Sequence, residues 1–137
     1  MGTVYAEITV KNAIDVGIAE SGQIRTEDIR AVTVTAIVDT GASTLVINEE
    51  LCQTLGLRIK EERNAQMADG RWVACRFTEG VEVHWKDRQW TCTAMLIPGA
   101  NSILLGAIPL EGMDLMVNPN SRELVGIHGD SVELMLL

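Results

Sequence analysis

The chain has 137 residues, 47% of them hydrophobic and 22% charged, with a formal net charge of -8 at pH 7 and a pI near 4.7. That length predicts one domain over residues 1–137, large enough to bury about two-thirds of the unfolded surface. An acidic surface argues against sequence-independent binding to nucleic acid or to an anionic membrane, since both need a cationic face. With one Phe and one Tyr, the core must be built from Val, Ile, Leu and Ala, which leans towards strands. Cys52, Cys75 and Cys92 are an odd number at wide spacings, with no Cys-x-x-Cys pair and no His close by in sequence. They predict reduced, packed thiols of a cytoplasmic protein and no metal site. The first seven residues lack a basic start followed by an apolar run, and no stretch approaches the ~18 apolar residues of a membrane span, so neither export nor anchoring is expected.

In chain order, Val4, Ala6, Ile8 and Val10 alternate with Tyr5, Glu7, Thr9 and Lys11, the pattern of a half-buried strand. The polar stretch from Asn12 to Asp28 shows a turn at Glu20-Ser21-Gly22 and no clear element. Val32, Val34, Ala36 and Val38 then alternate with Thr33, Thr35 and Ile37 in a strand that runs into Asp39-Thr40-Gly41-Ala42-Ser43-Thr44. The strand carries a carboxylate to the mouth of a core, Gly41 permits a tight turn, and the hydroxyls of Thr40, Ser43 and Thr44 are within local reach of the acid. The tripeptide Asp-Thr-Gly by itself is equally an ordinary strand-ending turn.

Beyond the apolar Leu45-Val46-Ile47, Asn48 is a good N-cap, Glu49 and Glu50 suit a first turn, Leu51 and Leu55 are spaced i,i+4, and Gly56 closes a short helix. A charged segment, residues 60–63, precedes a hairpin signal at Asp69-Gly70, and counting outward from that turn pairs Met67 with Trp72. This hairpin reads either as a flap whose aromatic covers a ligand or as a surface feature whose Trp packs on its own domain. A second hairpin places Val81, Val83 and Trp85 opposite Trp90, Cys92, Ala94 and Leu96 across a turn at residues 86–89. His84, beside Glu82 on the polar face, and His128, near two glycines, are expected to be solvated.

Pro98-Gly99-Ala100-Asn101 turns the chain into Ile103-Leu104-Leu105-Gly106, an echo of the run into Asp39. Residues 107–112 suit a short helix, with Pro109 early and Gly112 at its stop. Leu115-Met116-Val117 and Leu124-Val125 flank a turn at residues 118–121. The tail from Val132 to Leu137 is apolar apart from Glu133, and an unpaired strand of that kind aggregates, so it is expected to be paired.

This order of strand, Asp39-Thr40-Gly41-Ala42-Ser43, short helix, Asp69-Gly70 hairpin and Leu104-Leu105-Gly106 followed by a helix resembles the retroviral-type aspartic proteases. More narrowly, it is similar to their small bacterial relatives with one Asp-Thr-Gly per chain. The resemblance implies a mostly β fold, a closed retropepsin-like barrel with one or two short helices, whose active site lies on the two-fold axis of a homodimer. It also implies an aspartic endopeptidase acting on peptide or protein substrates without a cofactor. Carried over by position, Asp39 is the catalytic acid or base, Thr40 locks the two active-site loops together and Gly41 presents backbone to substrate, with Ala42 and Ser43 completing the loop. The flap is Met67, Ala68, Asp69, Gly70, Arg71 and Trp72, and Leu104, Leu105 and Gly106 support the Asp39 loop from beneath. Ala42 matches the retroviral pattern, whereas a serine stands there in the pepsin pattern. Ser43 takes the place where retroviral enzymes often carry a second Asp. The family dimerises through terminal strands, a role that residues 132–137 would fill.

Three other readings compete. A non-catalytic β-barrel of the same architecture could serve dimerisation or peptide binding, because fold does not dictate function. A phosphate-binding turn similar to that of actin and sugar-kinase ATPases needs two large lobes, which 137 residues cannot supply. A serine hydrolase would need a Gly-x-Ser-x-Gly elbow, and Ser43 sits in none.

Overall fold

The alternation along the first strand decides where the core lies. In the computed structural model, which describes residues 2–129, Ala6, Ile8 and Val10 of β1 (Tyr5–Asn12) are buried and Tyr5 is exposed. β1 pairs antiparallel with β2 (Ala31–Val38), Ile8 facing Val34, and with the far end of β5 (Trp72–Trp85), Val10 facing Val83. From β2 the sheet continues through β7 (Leu104–Leu105), β3 (Leu45–Val46) and β6 (Arg88–Leu96) back to β5. Because β1 touches both β2 and β5, the strands form a closed, barrel-like ring around Ile8, Val10, Leu45, Ile47, Val81, Val83 and Leu105. The mostly β fold expected from the sequence is borne out. Outside the ring and among the described residues, β4 (Ile59–Gln66) pairs with β5 alone, and β8 (Leu115–Asn118) pairs with β9 (Glu123–Gly126) in a separate ribbon. The apolar tail from Val132 onward lies outside the described residues.

Among the described residues, three short helices lie against this ring. Asn48 caps α2 (Glu49–Leu55) by accepting from Leu51 N, and Gly56 ends it in the left-handed region at φ +64. Gly106 precedes α3 (Ala107–Gly112). The stretch between β1 and β2, in which the sequence shows no element, contains α1 (Ala13–Glu20) and a 3-10 turn at Thr26–Asp28. Its cap is Asn12, read from the sequence as the start of a polar loop. Asn12 is 3% exposed, its Oδ1 accepts from Asp15 N, and its Nδ2 donates to Leu55 O.

Asp15 ties α1 to the entry of β2, accepting from Arg30 N, Nε and Nη2 at 3.0, 2.8 and 3.0 Å. The Arg30 guanidinium holds the Asp15 carboxyl below its ordinary value, against the opposing effect of burial. A lowered folded-state pKa contributes stability above the unfolded value of about 3.9, and that contribution is lost as pH falls through the folded value. Asp15→Asn is therefore expected to cost about 1–2 kcal/mol near neutral pH, discounted for the half-exposed Arg30. Urea midpoints of the two proteins should converge below pH 4, and a constant gap between pH 7 and pH 3 would contradict the assignment.

Two details of the hairpins depart from the sequence reading. Gln66, not Met67, faces Trp72, because Ala68-Asp69-Gly70 form a three-residue loop with Gly70 at φ +87. Met67 N donates to Arg71 O and Gly70 N to Met67 O, the pattern of a type I turn followed by a left-handed residue. The second turn is tighter than expected, with Trp85 facing Arg88 across Lys86 and Asp87. Arg88 is thereby inside, donating to the carbonyls of Met113, Asp114 and Gly129. Of the two histidines, His128 is exposed as expected and His84 is not. His84 is half-buried against Glu82 because β1 covers that end of β5, and His128 Nδ1 lies 2.7 Å from Asp114 Oδ1.

Candidate active site

Asp39 follows directly on β2, and a second segment holds it in place. β7 lies between β2 and β3, parallel to the first (Ile37 facing Leu104, Val38 facing Leu105) and antiparallel to the second (Leu45 facing Leu105, Val46 facing Leu104). Asp39 N donates to Leu105 O at 3.0 Å, and Ala42 N returns to Asp39 O at 3.1 Å. The start of α3 adds two bonds, Ala107 N to Ala42 O at 2.8 Å and Ile108 N to Ser43 O at 2.9 Å. Gly106 makes that approach possible: a Cβ there would stand 2.2 Å from Thr44 O and 2.6 Å from Ala42 O. Leu104, Leu105 and Gly106 thus lie against the loop at residues 39–44.

The Asp39 carboxylate is half-buried and accepts from Gly41 N at 2.9 Å through Oδ1. A Cβ on residue 41 would come within 3.1 Å of that oxygen, so Gly41 gives the acid room as well as a donor. The hydroxyl of Thr44, within sequence reach of the acid, instead donates to Thr93 O on β6. Thr40 and Ser43 are exposed.

A cleft of about 550 Å3 opens between this loop and the β4–β5 hairpin. The loop contributes Asp39, Gly41, Ala42 and Ser43, and the hairpin contributes Ala65, Gln66, Met67 and Ala68. Apolar side chains complete it: Val46, Cys75, Phe77, Met95, Ile97 and Leu104. Asp39 is the one charged residue among those that line it. Met67 and Ala68 therefore stand across the cleft from Asp39. Asp69, Gly70 and Arg71 form the exposed tip, where Arg71 pairs with Asp69, and Trp72 points elsewhere. Trp72 is 66% exposed, neither lining the cleft nor packed on the body of the protein, so neither sequence reading of that aromatic describes it.

No contiguous motif marks Cys75, Phe77, Met95 or Ile97 for this cleft. A signal existed, since Cys75 and Phe77 are two apart on one strand and share its inner face. The three cysteines are unpaired, and burial pushes the thiols of Cys52, Cys75 and Cys92 up. Among the described residues, no three His, Cys, Asp or Glu side chains gather where they could hold a metal, and no helix is long and apolar enough to cross a membrane.

A family profile described as "gag-polyprotein putative aspartyl protease" matches residues 25–117, a span that includes the Asp39 loop, the β4–β5 hairpin and β7. Among solved structures, the chain is similar to the EIAV protease in complex with an inhibitor. The TM-score is 0.50 at 14% identity, over 77% of this chain and 82% of that one. No curated protein matches by sequence.

Proposed function

The chain belongs to the gag-polyprotein aspartyl protease family, and from that premise we propose that it is an aspartic endopeptidase in which Asp39 of two subunits activates a water between them. The observation that carries this reading is the Asp39 carboxylate, half-buried, held by the Gly41 N–H and facing an apolar cleft that the β4–β5 hairpin closes from the other side. One carboxylate cannot act as general base and general acid in the same step. Two that share a proton can, one taking a proton from water while the other donates to the peptide carbonyl, which is the general arrangement of aspartic proteases.

The second carboxylate would come from a second copy of the chain, and Thr40, which is exposed, would meet its counterpart there. In this reading Gly41 and Ser43 border the substrate backbone, Ala42 packs beneath it, and residues 67–72 act as a flap. The family fold and the acidic composition, with unpaired buried thiols, suit one domain over residues 1–137 working in the cytoplasm. The second reading, a peptide-binding or dimerisation module of the same fold, is favoured only by the cleft's apolar lining, which would hold a peptide whether or not it is cut.

Incubation with an unstructured peptide mixture from pH 4 to 7, at protein concentrations that favour dimer, separates the two. Cleavage with a bell-shaped pH profile and a steeper than linear dependence on protein concentration is expected. A folded, dimeric protein that cuts nothing would favour the binding module.

A further inference from the structure

The cleft's lining is uncharged apart from Asp39, but a carboxylate and a guanidinium stand beside it on β4. On the β4–β5 hairpin, Glu61 faces Phe77, Arg63 faces Cys75 and Ala65 faces Val73. Residues directly opposite one another share a face, and alternate residues along a strand do as well. Ala65, Cys75 and Phe77 line the cleft, so Glu61 and Arg63 lie on its side of β4. The Arg63 guanidinium carbon stands 5.6 Å from the centre of the Phe77 ring, and Nη2 lies 2.8 Å from Glu61 Oε1. Arg63 is thus a cation seated on the face of an aromatic that itself lines the cleft. It lies about 13 Å along β4 from Met67, at roughly 3.3 Å per residue.

Resting on the endopeptidase reading, we infer that Arg63 is a specificity-determining residue that selects peptides with a carboxylate side chain away from the scissile bond. Next to the scissile bond such a side chain would meet Asp39 and be repelled, while apolar groups fit Val46, Met95, Ile97 and Leu104. Farther out it meets Arg63. The Phe77 ring orients the planar guanidinium, and its ion pair with Glu61, the one it makes among the described residues, is exposed enough to be weak. No hydrogen bond occupies the remaining guanidinium donors among the described residues, and they suit a two-pronged grip on a carboxylate. Glu61 opposes this preference by its charge, so the pair sets how strong the selection is. The chain's net charge of -8 disfavours acidic peptides at long range, and Arg63 acts against it locally.

The test uses ten-residue peptides with a central apolar pair, in which Glu, Gln or Lys is moved through each flanking position. Binding is read by fluorescence anisotropy and cleavage by chromatography. At one position outside the central pair, the Glu peptide should bind about tenfold more tightly than its Gln counterpart, the effect of one charge-assisted contact. Arg63→Gln should erase that ratio, Arg63→Glu should turn it in favour of Lys, and Glu61→Gln should widen it. High salt should shrink it, because the groups are exposed. Equal binding of Glu and Gln peptides, a preference unchanged in Arg63→Gln, or no binding of any peptide would each overturn the inference. Cleavage without discrimination would overturn it and leave the endopeptidase reading standing. Arg63-dependent discrimination without cleavage would uphold it and overturn that reading.

Discussion

Asp39→Asn is expected to lower peptide cleavage by roughly 10²–10⁴-fold, the range for loss of a general acid or base, while the protein stays folded. The two effects separate because the amide keeps the group's structural contact and loses its chemistry. Its Oδ1 can still accept from Gly41 N, and the backbone bonds from Asp39 N to Leu105 O and from Ala42 N to Asp39 O are untouched. An amide cannot take up or release the proton that moves to and from water. The thermal midpoint should therefore shift by only a few degrees. If the active unit is a dimer, an excess of the variant should also suppress the wild-type chain by forming mixed pairs. Variant activity within a few-fold of wild type would remove Asp39 from the chemistry, and activity unaffected by excess variant would remove the dimer.

Gly106→Ala is expected to be strongly destabilising, at about 2–3 kcal/mol, or roughly 10 °C in thermal midpoint. The contacts a Cβ would meet are backbone, at 2.2 Å to Thr44 O and 2.6 Å to Ala42 O, so no rotamer change relieves them. Relief requires β7 and the loop at residues 39–44 to move apart, which strains the bonds from Ala107 N and Ile108 N that fix the loop. Activity should fall with stability, since the moving loop carries Asp39. Gly17→Ala, in the interior of α1 with open space around the added methyl, is the matched control and should gain about 0.5–1 kcal/mol. Paired melting curves decide the point. A midpoint for Gly106→Ala within 2–3 °C of wild type would show that the loop yields easily and that β7 does not support it.

What was legible in the chain was whatever a short window encodes. Alternation in residues 4–10 and 32–38 marks two strands by period alone, and the cap at Asn48 with the stop at Gly56 marks α2, because a helix end needs those side chains wherever it lies. Illegible features depend on partners distant in sequence. α1 is the exception: its cap is local, Asn12 accepting from Asp15 N as Asn48 accepts from Leu51 N, but the helix is short and has Gly17 in its interior, so its own residues carry a weak helical signal. The one-residue error at the Asp69-Gly70 hairpin arose because Asp-Gly suits both a two-residue turn and the last two positions of a three-residue loop, and the choice reverses which side chains face each other. His84 looked solvated because nothing in residues 82–86 shows that β1 will cover them.

The same division holds at the site. Asp39, its glycine turn and the apolar run at residues 103–106 can be read along the chain, since each is a contiguous motif with a local conformational requirement. Tertiary structure alone decided that β7 lies between β2 and β3, where backbone pairing in both directions holds the Asp39 loop. It alone decided that Cys75, Phe77, Met95 and Ile97 meet Asp39 across one cleft. It also turned Trp72 outward and Arg63 towards that cleft, because a side chain's face is set by strand register, and register is settled only when the strands pair.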